Sequence, residues 1–575
     1  MITAITHSSE LLAVIPKLLS GNEAVAHIEI AGIDGDLEKN IRARLPAFRP
    51  RCDADIDPLY KYKKALLRKI NKASRSLGYY QIKTNFNATK GSGCWILTVT
   101  IDAGKPLRVT KQQIIFTGEG KYAPVFTQIP KPYKINDPLN HTHYKNYKSK
   151  LEATAQENGY LAATFKEKEI LVNLKNNTAQ IKLHYDTGAR YRFGKVQIDQ
   201  SILDKKYLNR YLLIKEDEYF TSLRLIEQQQ LFQSSGYYSA INIHADYKEA
   251  IGNKVPIKIT LTSKKRNHYR GKIGYGTDTG VRTRFSMNRR WTGASGKKLN
   301  VSLGLSERIN DVSIQWTIPK QNPTNNKTVT FLSLKDENTD DVHSRSFKFG
   351  VVGTTLEKNG WARSLSLTHL SDITKIKGES KDTSELTLLG IQYAKTRAKD
   401  RLFPKDGWRA RFSAEGGLDK ILSDSSVLQL KTHLKHVNSR GKLRLIKRLD
   451  LGLTVGDKLD NLPKDLRFFS GGINHIRGYS YESLGEVNSA GTTKGGRKLL
   501  ELSLEVDYPI TEKWGIAGFV DAGNAYDDFN DDNIKVGVGA GVRWHSPIGP
   551  VRLDLASPSD DLSDVHIHLS IGPDL

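Results

Sequence analysis

One segment of the 575 residues combines a cation with unusual backbone freedom: Gly471-Gly472-Ile473-Asn474-His475-Ile476-Arg477-Gly478-Tyr479. Glycines at this density mark backbone in uncommon conformations or in close approach to another surface. An arginine held among them calls for a carboxylate at a defined angle, because its planar guanidinium donates as a fork. The stretch WGIAGFVDAGNAY, from Trp514 to Tyr526, supplies a carboxylate of that kind. Strand alternation puts Ile516, Gly518, Val520 and Ala522 on one face and Phe519, Asp521 and Gly523 on the other. Arg477 and Asp521 are then the sort of pair that fixes a loop by charge-assisted hydrogen bonding.

The remaining motifs read better as structure than as chemistry. RRWTGASGKKL approaches a phosphate-binding loop, but Trp291 stands where the first glycine is required and Lys298 where Ser or Thr should follow Gly296-Lys297. GVGAGVRW lacks the helix a dinucleotide fingerprint needs, so its glycines belong to a strand. His566 and His568 share a strand face and are read as inward polar residues rather than metal ligands. No Ser/His/Asp or paired-carboxylate arrangement stands out. We therefore expect no enzyme, no cofactor and no metal. The segment YKYKKALLRKINKASR carries seven Lys or Arg and no acid; it is read as a solvated helix face, or as a dock for an acidic partner or headgroups.

What positions these residues is a repeat followed by a change of character. Helical periodicity ends at Gly78-Tyr79-Tyr80, at Gly159-Tyr160 and at Gly236-Tyr237-Tyr238, each time turning into a strand. Glycine just past a helix takes the left-handed conformation that stops it. Leu59, Leu66, Ile70, Ala73 and Leu77 form one apolar face in the first copy. Opening strands at Ile28–Ile30, Ile114–Phe116 and Val196–Ile198, with closing strands at 95–101, 179–185 and 254–262, complete three α+β modules of about 80 residues. Beyond Lys264-Lys265-Arg266 helical periodicity nearly vanishes. Alternating strands continue to the end, as in Leu500, Leu502, Leu504, Val506 and in Val536, Val538, Ala540, Val542, Trp544. About 310 residues at about 19 per strand and turn give roughly 16 strands, the scale of a closed membrane barrel. Closure would also remove exposed edges. The expected domains are an N-terminal segment 1–24, modules at 25–104, 105–188 and 189–264, and a barrel over 265–575.

Composition narrows the partners. The net charge of +25 is spread along the chain without zinc-finger or RNA-binding motifs, so no nucleic acid is expected. Anionic lipid or lipopolysaccharide accounts for it equally well. No run of 18 to 20 apolar residues exists to span a membrane as a helix. The two cysteines, Cys52 and Cys94, are too few for a four-ligand zinc site. They read equally as a disulfide in an extracytoplasmic compartment or as two separate small residues. Residues 1–24 make a poor signal peptide, since no base precedes Lys17 and Pro16-Lys17 interrupt the apolar stretch.

RFFSGGINHIRGYSYESLG, residues 467–485, resembles the sixth-loop motif of the BamA/TamA superfamily of outer-membrane assembly and secretion proteins, with Arg477-Gly478-Tyr479 at its core. FVDAG at 519–523 resembles the family's strand motif, and RLFPKDGW at 401–408 a recurrent barrel hairpin. The helix–Gly–Tyr–strand repeats look like POTRA domains. Three of them before a barrel resemble the TamA branch, as do the opening IEIAGIDGDLEKNIRARL and the closing GPVRLDLASPSDD. The final Gly572-Pro573-Asp574-Leu575 departs from the aromatic with which many barrel proteins end.

The resemblance implies POTRA domains in the periplasm and a 16-stranded outer-membrane barrel. Arg477 would insert through the lumen to Asp521. The seam between the first strand (about Arg270 to Thr277; Gly271, Ile273, Tyr275) and the last (Val565 to Ile571; Val565, Ile567, Leu569) would be a lateral gate. Unfolded outer-membrane clients such as autotransporters would be templated there, and the first POTRA domain would dock a TamB-like protein anchored in the inner membrane. A two-partner secretion pore and a passive outer-membrane channel are the alternatives.

Overall fold

The computed structural model describes residues 25–91, 93–277, 280–400, 403–528, 534–546 and 549–571. The N-terminal segment, Arg401 and Leu402 of the hairpin motif, and the final four residues lie outside the described residues.

Three mixed three-stranded sheets come first. The first module runs β1 (His27–Ala31), α1 (Gly35–Arg42), α2 (Ile56–Ser76), β2 (Lys83–Lys90), β3 (Trp95–Asp102). The second runs β4 (Arg108–Thr117), α3 (Pro124–Thr127), α4 (His141–Glu157), β5 (Thr164–Asn173), β6 (Thr178–Asp186). The third runs β7 (Arg192–Asp199), α5 (Lys205–Leu208), α6 (Ser222–Ser235), β8 (Tyr238–Ala245), β9 (Lys254–Ser263). In each the closing strand sits in the middle, giving the orders β1-β3-β2, β4-β6-β5 and β7-β9-β8. Residues 214–226 and 244–258 of the third module pack in one compact unit with the preceding modules, and 198–213 with 227–243 pack in a second with the barrel.

Helix α2 shows why the repeat folds as it does. Leu59, Tyr62, Leu66, Ile70 and Ala73 are buried at helical spacing and join Leu97, Val99 and Ile101 of β3 in one core. Burying each large aliphatic side chain contributes about 1.5–3 kcal/mol. Gly78 ends the helix at φ +91°, and a Cβ there would lie 2.4 Å from the carbonyl oxygen of Leu139 in the second module. Glycine is therefore required twice over, for the turn and for the approach. Gly159 and Gly236 repeat the conformation at φ +87° and +78°.

The sixteen barrel strands are antiparallel, and each pairs with its neighbours in sequence. They begin with β10 (Asn267–Gly276), β11 (Gly280–Thr292), β12 (Lys297–Ser306), β13 (Ile309–Pro319) and β14 (Asn326–Asn338). Then follow β15 (Val342–Leu356), β16 (Ala362–Ile376), β17 (Lys381–Ala398), β18 (Gly407–Gly417), β19 (Val427–Arg440) and β20 (Leu443–Gly456). A long loop, holding the short ladder β21 (Glu486–Val487) and β22 (Thr493–Gly495), separates these from the rest. The barrel finishes with β23 (Lys498–Pro509), β24 (Trp514–Tyr526), β25 (Lys535–Ser546), β26 (Gly549–Pro558) and β27 (His566–Ile571). Exposed and buried residues alternate as a wall with one lipid face requires: Ile516, Gly518 and Val520 are exposed, and Ala517, Phe519 and Asp521 buried.

Six of the seven tryptophans (Trp291, Trp316, Trp361, Trp408, Trp514, Trp544) stand at the strand ends on the side where the chain enters β10. Trp514 stacks on Trp544 with ring centroids 5.9 Å apart. An aromatic girdle of this kind marks a membrane–water interface. The barrel is nearly closed: β10 and β27 end the strand order, and no ladder joins them among the described residues. The last strand begins at His566, so Val565 falls one residue ahead of it.

Candidate functional site

The loop between β20 and β23 folds back into the lumen and is tied down at both sides. On one side, Lys464 reaches Glu337 of β14 at 3.1 Å and Glu482 of the loop at 2.9 Å. Asp465 bridges Lys348 of β15 at 2.5 Å and Lys335 of β14 at 3.3 Å. Arg467 is spent within the loop, donating to the carbonyls of Leu462, Lys494 and Asp460 at 2.7, 3.2 and 3.0 Å.

Arg477 makes the other anchor. Its Nε and Nη2 donate to the two oxygens of Asp521 at 2.7 and 3.0 Å, the bidentate geometry that only a guanidinium supplies. Its Nη1 donates to Glu505 of β23 at 2.7 Å and to Asp554 of β26 at 3.1 Å. The backbone N–H of Arg477 adds a bond to Asp521 at 3.1 Å, and the guanidinium lies 3.3 Å from the ring centroid of Phe519. Arg477 is 6% exposed and Asp521 is fully buried. Arg543 of β25 completes the cluster by donating to Glu505 and Asp554, while Ser503 donates to Asp521 at 2.5 Å. Three buried carboxylates thus share two buried guanidinium groups, and each oxygen has a donor.

Glycines give the loop room. A Cβ on Gly537 of β25 would stand 1.8 Å from the carbonyl oxygen of Arg477. Gly478, at φ +93°, presses against the backbone of Ser557, and its N–H donates to Nε2 of His568 at 3.1 Å. Tyr479 lies on the same wall, its hydroxyl 3.5 Å from the carbonyl of Val536. Farther back, Arg448 holds the carbonyls of Asn474 and His475, and His475 meets Glu501 at 2.9 Å.

The structure thus brings Arg477, Gly478 and Tyr479 together with Phe519 and Asp521. Gly523 is buried on the same strand, and a Cβ there would meet the backbone of Leu500 and Glu501 on β23 rather than the loop. Sequence reasoning left out Glu505, Asp554, Arg543, Lys464 and Asp465. A signal existed for one of them: the apolar face Leu500, Leu502, Leu504, Val506 implies an opposite face of Glu501, Ser503, Glu505 and Asp507.

The seam residues form a separate feature. On β10, Ile273 is 86% exposed, with Gly271 and Tyr275 exposed beside it on the lipid face. On β27, Ile567 is exposed and Leu569 half-buried on the corresponding face. The seam strands hold 10 and 6 residues, against 15 and 18 in β16 and β17 across the barrel. No ladder joins these two short strands among the described residues, so the seam lacks the backbone hydrogen bonds that hold each other neighbouring pair. In the first module Cys52 and Cys94 are disulfide-bonded. Helix α2 exposes Lys61, Lys64, Arg68, Lys69, Lys72 and Arg75 along one face.

Comparisons with known proteins agree with this architecture. The sequence profile of the Omp85 superfamily domain matches residues 257–574, and that of POTRA domain TamA domain 1 matches residues 27–103. The outer membrane protein assembly factor BamA of Nitratidesulfovibrio vulgaris is 22% identical over 387 residues, covering 62% of this chain and 47% of the relative. BamA of Neisseria meningitidis serogroup B is 21% identical over 464 residues, covering 68% and 57%. The chain thus spans about half the length of the curated relatives it matches. Among solved structures, BamA from Haemophilus ducreyi lacking POTRA domains 1–3 superposes with a TM-score of 0.69 at 16% identity, over 80% of this chain and 98% of that one.

Proposed function

This chain belongs to the Omp85 superfamily, and from that premise we propose that it inserts or exports β-barrel clients, autotransporters among them, through the seam between β10 and β27. It is an outer-membrane β-barrel with N-terminal POTRA domains, which are periplasmic in this family. The observation that carries the reading is the seam itself: β10 presents an edge to which no strand is laddered among the described residues. An edge of unpaired N–H and C=O groups is a template for an incoming strand. Clients would gain their free energy from burying apolar surface and completing their own ladders, and the protein would perform no covalent chemistry.

We assign it further to the TamA type, working with a TamB-like partner anchored in the inner membrane. The match of residues 27–103 to a TamA-type first POTRA domain supports this. So does the surface of that module, where Phe48, Ile56 and Tyr60 are 70, 77 and 69% exposed beside the basic face of α2. Exposed aromatics next to positive charge suit a partner with an apolar strip edged by carboxylates. The gate is tested by Gly271→Cys with Leu569→Cys, bridged by a short bismaleimide in reconstituted full-length protein. Bridging is expected to stop client insertion while the barrel stays folded, and unimpaired insertion refutes the gate.

A further inference from the structure

The lumen side of the seam carries a charge pattern of its own. Arg270 and Lys272 on β10 and Arg282 and Arg284 on β11 alternate with the lipid-facing Tyr269, Gly271, Ile273, Val281 and Phe285, so all four bases point inward. Only Arg284 is neutralised: it reaches across Gly304 of β12 to Asp311 of β13, at 2.6 and 3.0 Å. Arg270, Lys272 and Arg282 have no ion pair among the described residues and are exposed. Lys272 stands directly opposite Arg284 in the ladder. The unpaired Arg282 is the diagonal neighbour of Lys272, so Arg270, Lys272 and Arg282 leave a run of uncompensated positive charge within side-chain reach across this pair. Across the seam, β27 offers no remedy, because its inward residues are His566, His568 and Ser570, with no carboxylate. His568 is already engaged by the N–H of Gly478.

We propose that the β10 edge selects client strands bearing acidic residues at alternate, inward-facing positions. The inference rests on the edge-pairing reading above and adds to it the client's chemistry. A strand laddered on β10 sets every second side chain beside Arg270 and Lys272, at cross-strand contact distance, and the others beside Tyr269, Ile273 and Tyr275 at the lipid face. A pattern of apolar, acidic, apolar, acidic residues matches both faces. It also neutralises the positive charge that β27 leaves uncompensated.

The test uses full-length protein in phosphatidylcholine vesicles with a benzoylphenylalanine photo-crosslinker at Gly271, where an added Cβ meets nothing within 4 Å. The probes are ten-residue synthetic peptides alternating valine or leucine with aspartate, asparagine or lysine. Two positions changing from attraction to repulsion give about a ten-fold lower half-saturating concentration for the aspartate peptide than for the lysine peptide, with asparagine between. Raising salt should compress that order in the unsubstituted wall, and Arg270→Glu with Lys272→Glu should invert it. Equal capture of all three peptides overturns the charge selection and leaves edge pairing standing. Capture that rises for every peptide in Arg270→Gln with Lys272→Gln overturns it too, since the bases would then only blunt the edge. Added lipopolysaccharide that removes capture of all three alike assigns the wall to lipid phosphate instead. No capture of any peptide refutes the edge-pairing reading itself.

Discussion

Removing the Arg477 side chain is the perturbation with the most calculable outcome. Arg477→Ala deletes four side-chain hydrogen bonds to three buried carboxylates. Glu505 and Asp554 keep Arg543, so their loss is partial. Asp521 keeps only the Ser503 hydroxyl and, while the loop stays seated, one backbone N–H. The substitution therefore strands one fully buried carboxylate, which costs about 3–5 kcal/mol. At 1.4 kcal/mol per decade that is roughly a hundred- to several-thousand-fold shift toward the unfolded barrel. Arg477→Lys retains one charge but not the fork or the contact with Phe519, and should recover only part of the loss. The assay is urea unfolding in lipid vesicles, followed by tryptophan fluorescence and by the gel mobility of the folded barrel. Asp521→Ala removes the stranded charge, so the double variant should be less destabilised than the sum of the singles by up to about 3 kcal/mol. A single variant within about 1 kcal/mol of the parent, or strict additivity in the cycle, refutes the latch.

Steric and modular predictions stand beside it. Gly537→Ala leaves every charge in place but puts a methyl 1.8 Å from the Arg477 carbonyl, so the loop must move; stability should fall by about 1–3 kcal/mol in the same assay. Cys52→Ser with Cys94→Ser opens a link closing 42 residues and should lower the stability of the first module by about 2–4 kcal/mol, read as proteolysis of that module at lower urea while the barrel is unchanged. Tyr60→Ala, on the exposed face of α2, should weaken capture of a TamB-like partner by about ten-fold without altering barrel stability; unchanged capture removes this surface from the interface.

How much of this was legible in the sequence depends on what each feature rests on. The three modules were legible because a helix stopped by glycine is a local event, and Gly78, Gly159 and Gly236 all take the left-handed conformation. The strand faces were legible because alternation is a short-range rule, as Phe519 and Asp521 against Ile516 and Val520 illustrate. Arg477 stood out by its glycine setting. Its full set of partners did not, because Glu505, Asp554 and Arg543 come from three further strands whose register only folding sets. Inward charges occur on nearly every strand, so none of these three is distinguished by type. The role of Gly537 was hidden for the same reason: a strand glycine reads as weak packing until another segment is known to press on it. The seam is not written in any one strand. It is the pair of edges left over when every other ladder is made.

The most direct test of the account follows a client strand rather than the barrel. Single cysteines at Gly271, Ile273 and Tyr275 of β10, with Ser413 in the lumen as the contrast, are challenged with a client stalled by a folded passenger and carrying cysteines stepped along its last strand. The account predicts disulfides that advance along β10 in ladder register, one client position for each β10 position, and none above background at Ser413. Crosslinks formed equally at Ser413, or without register along β10, would contradict it.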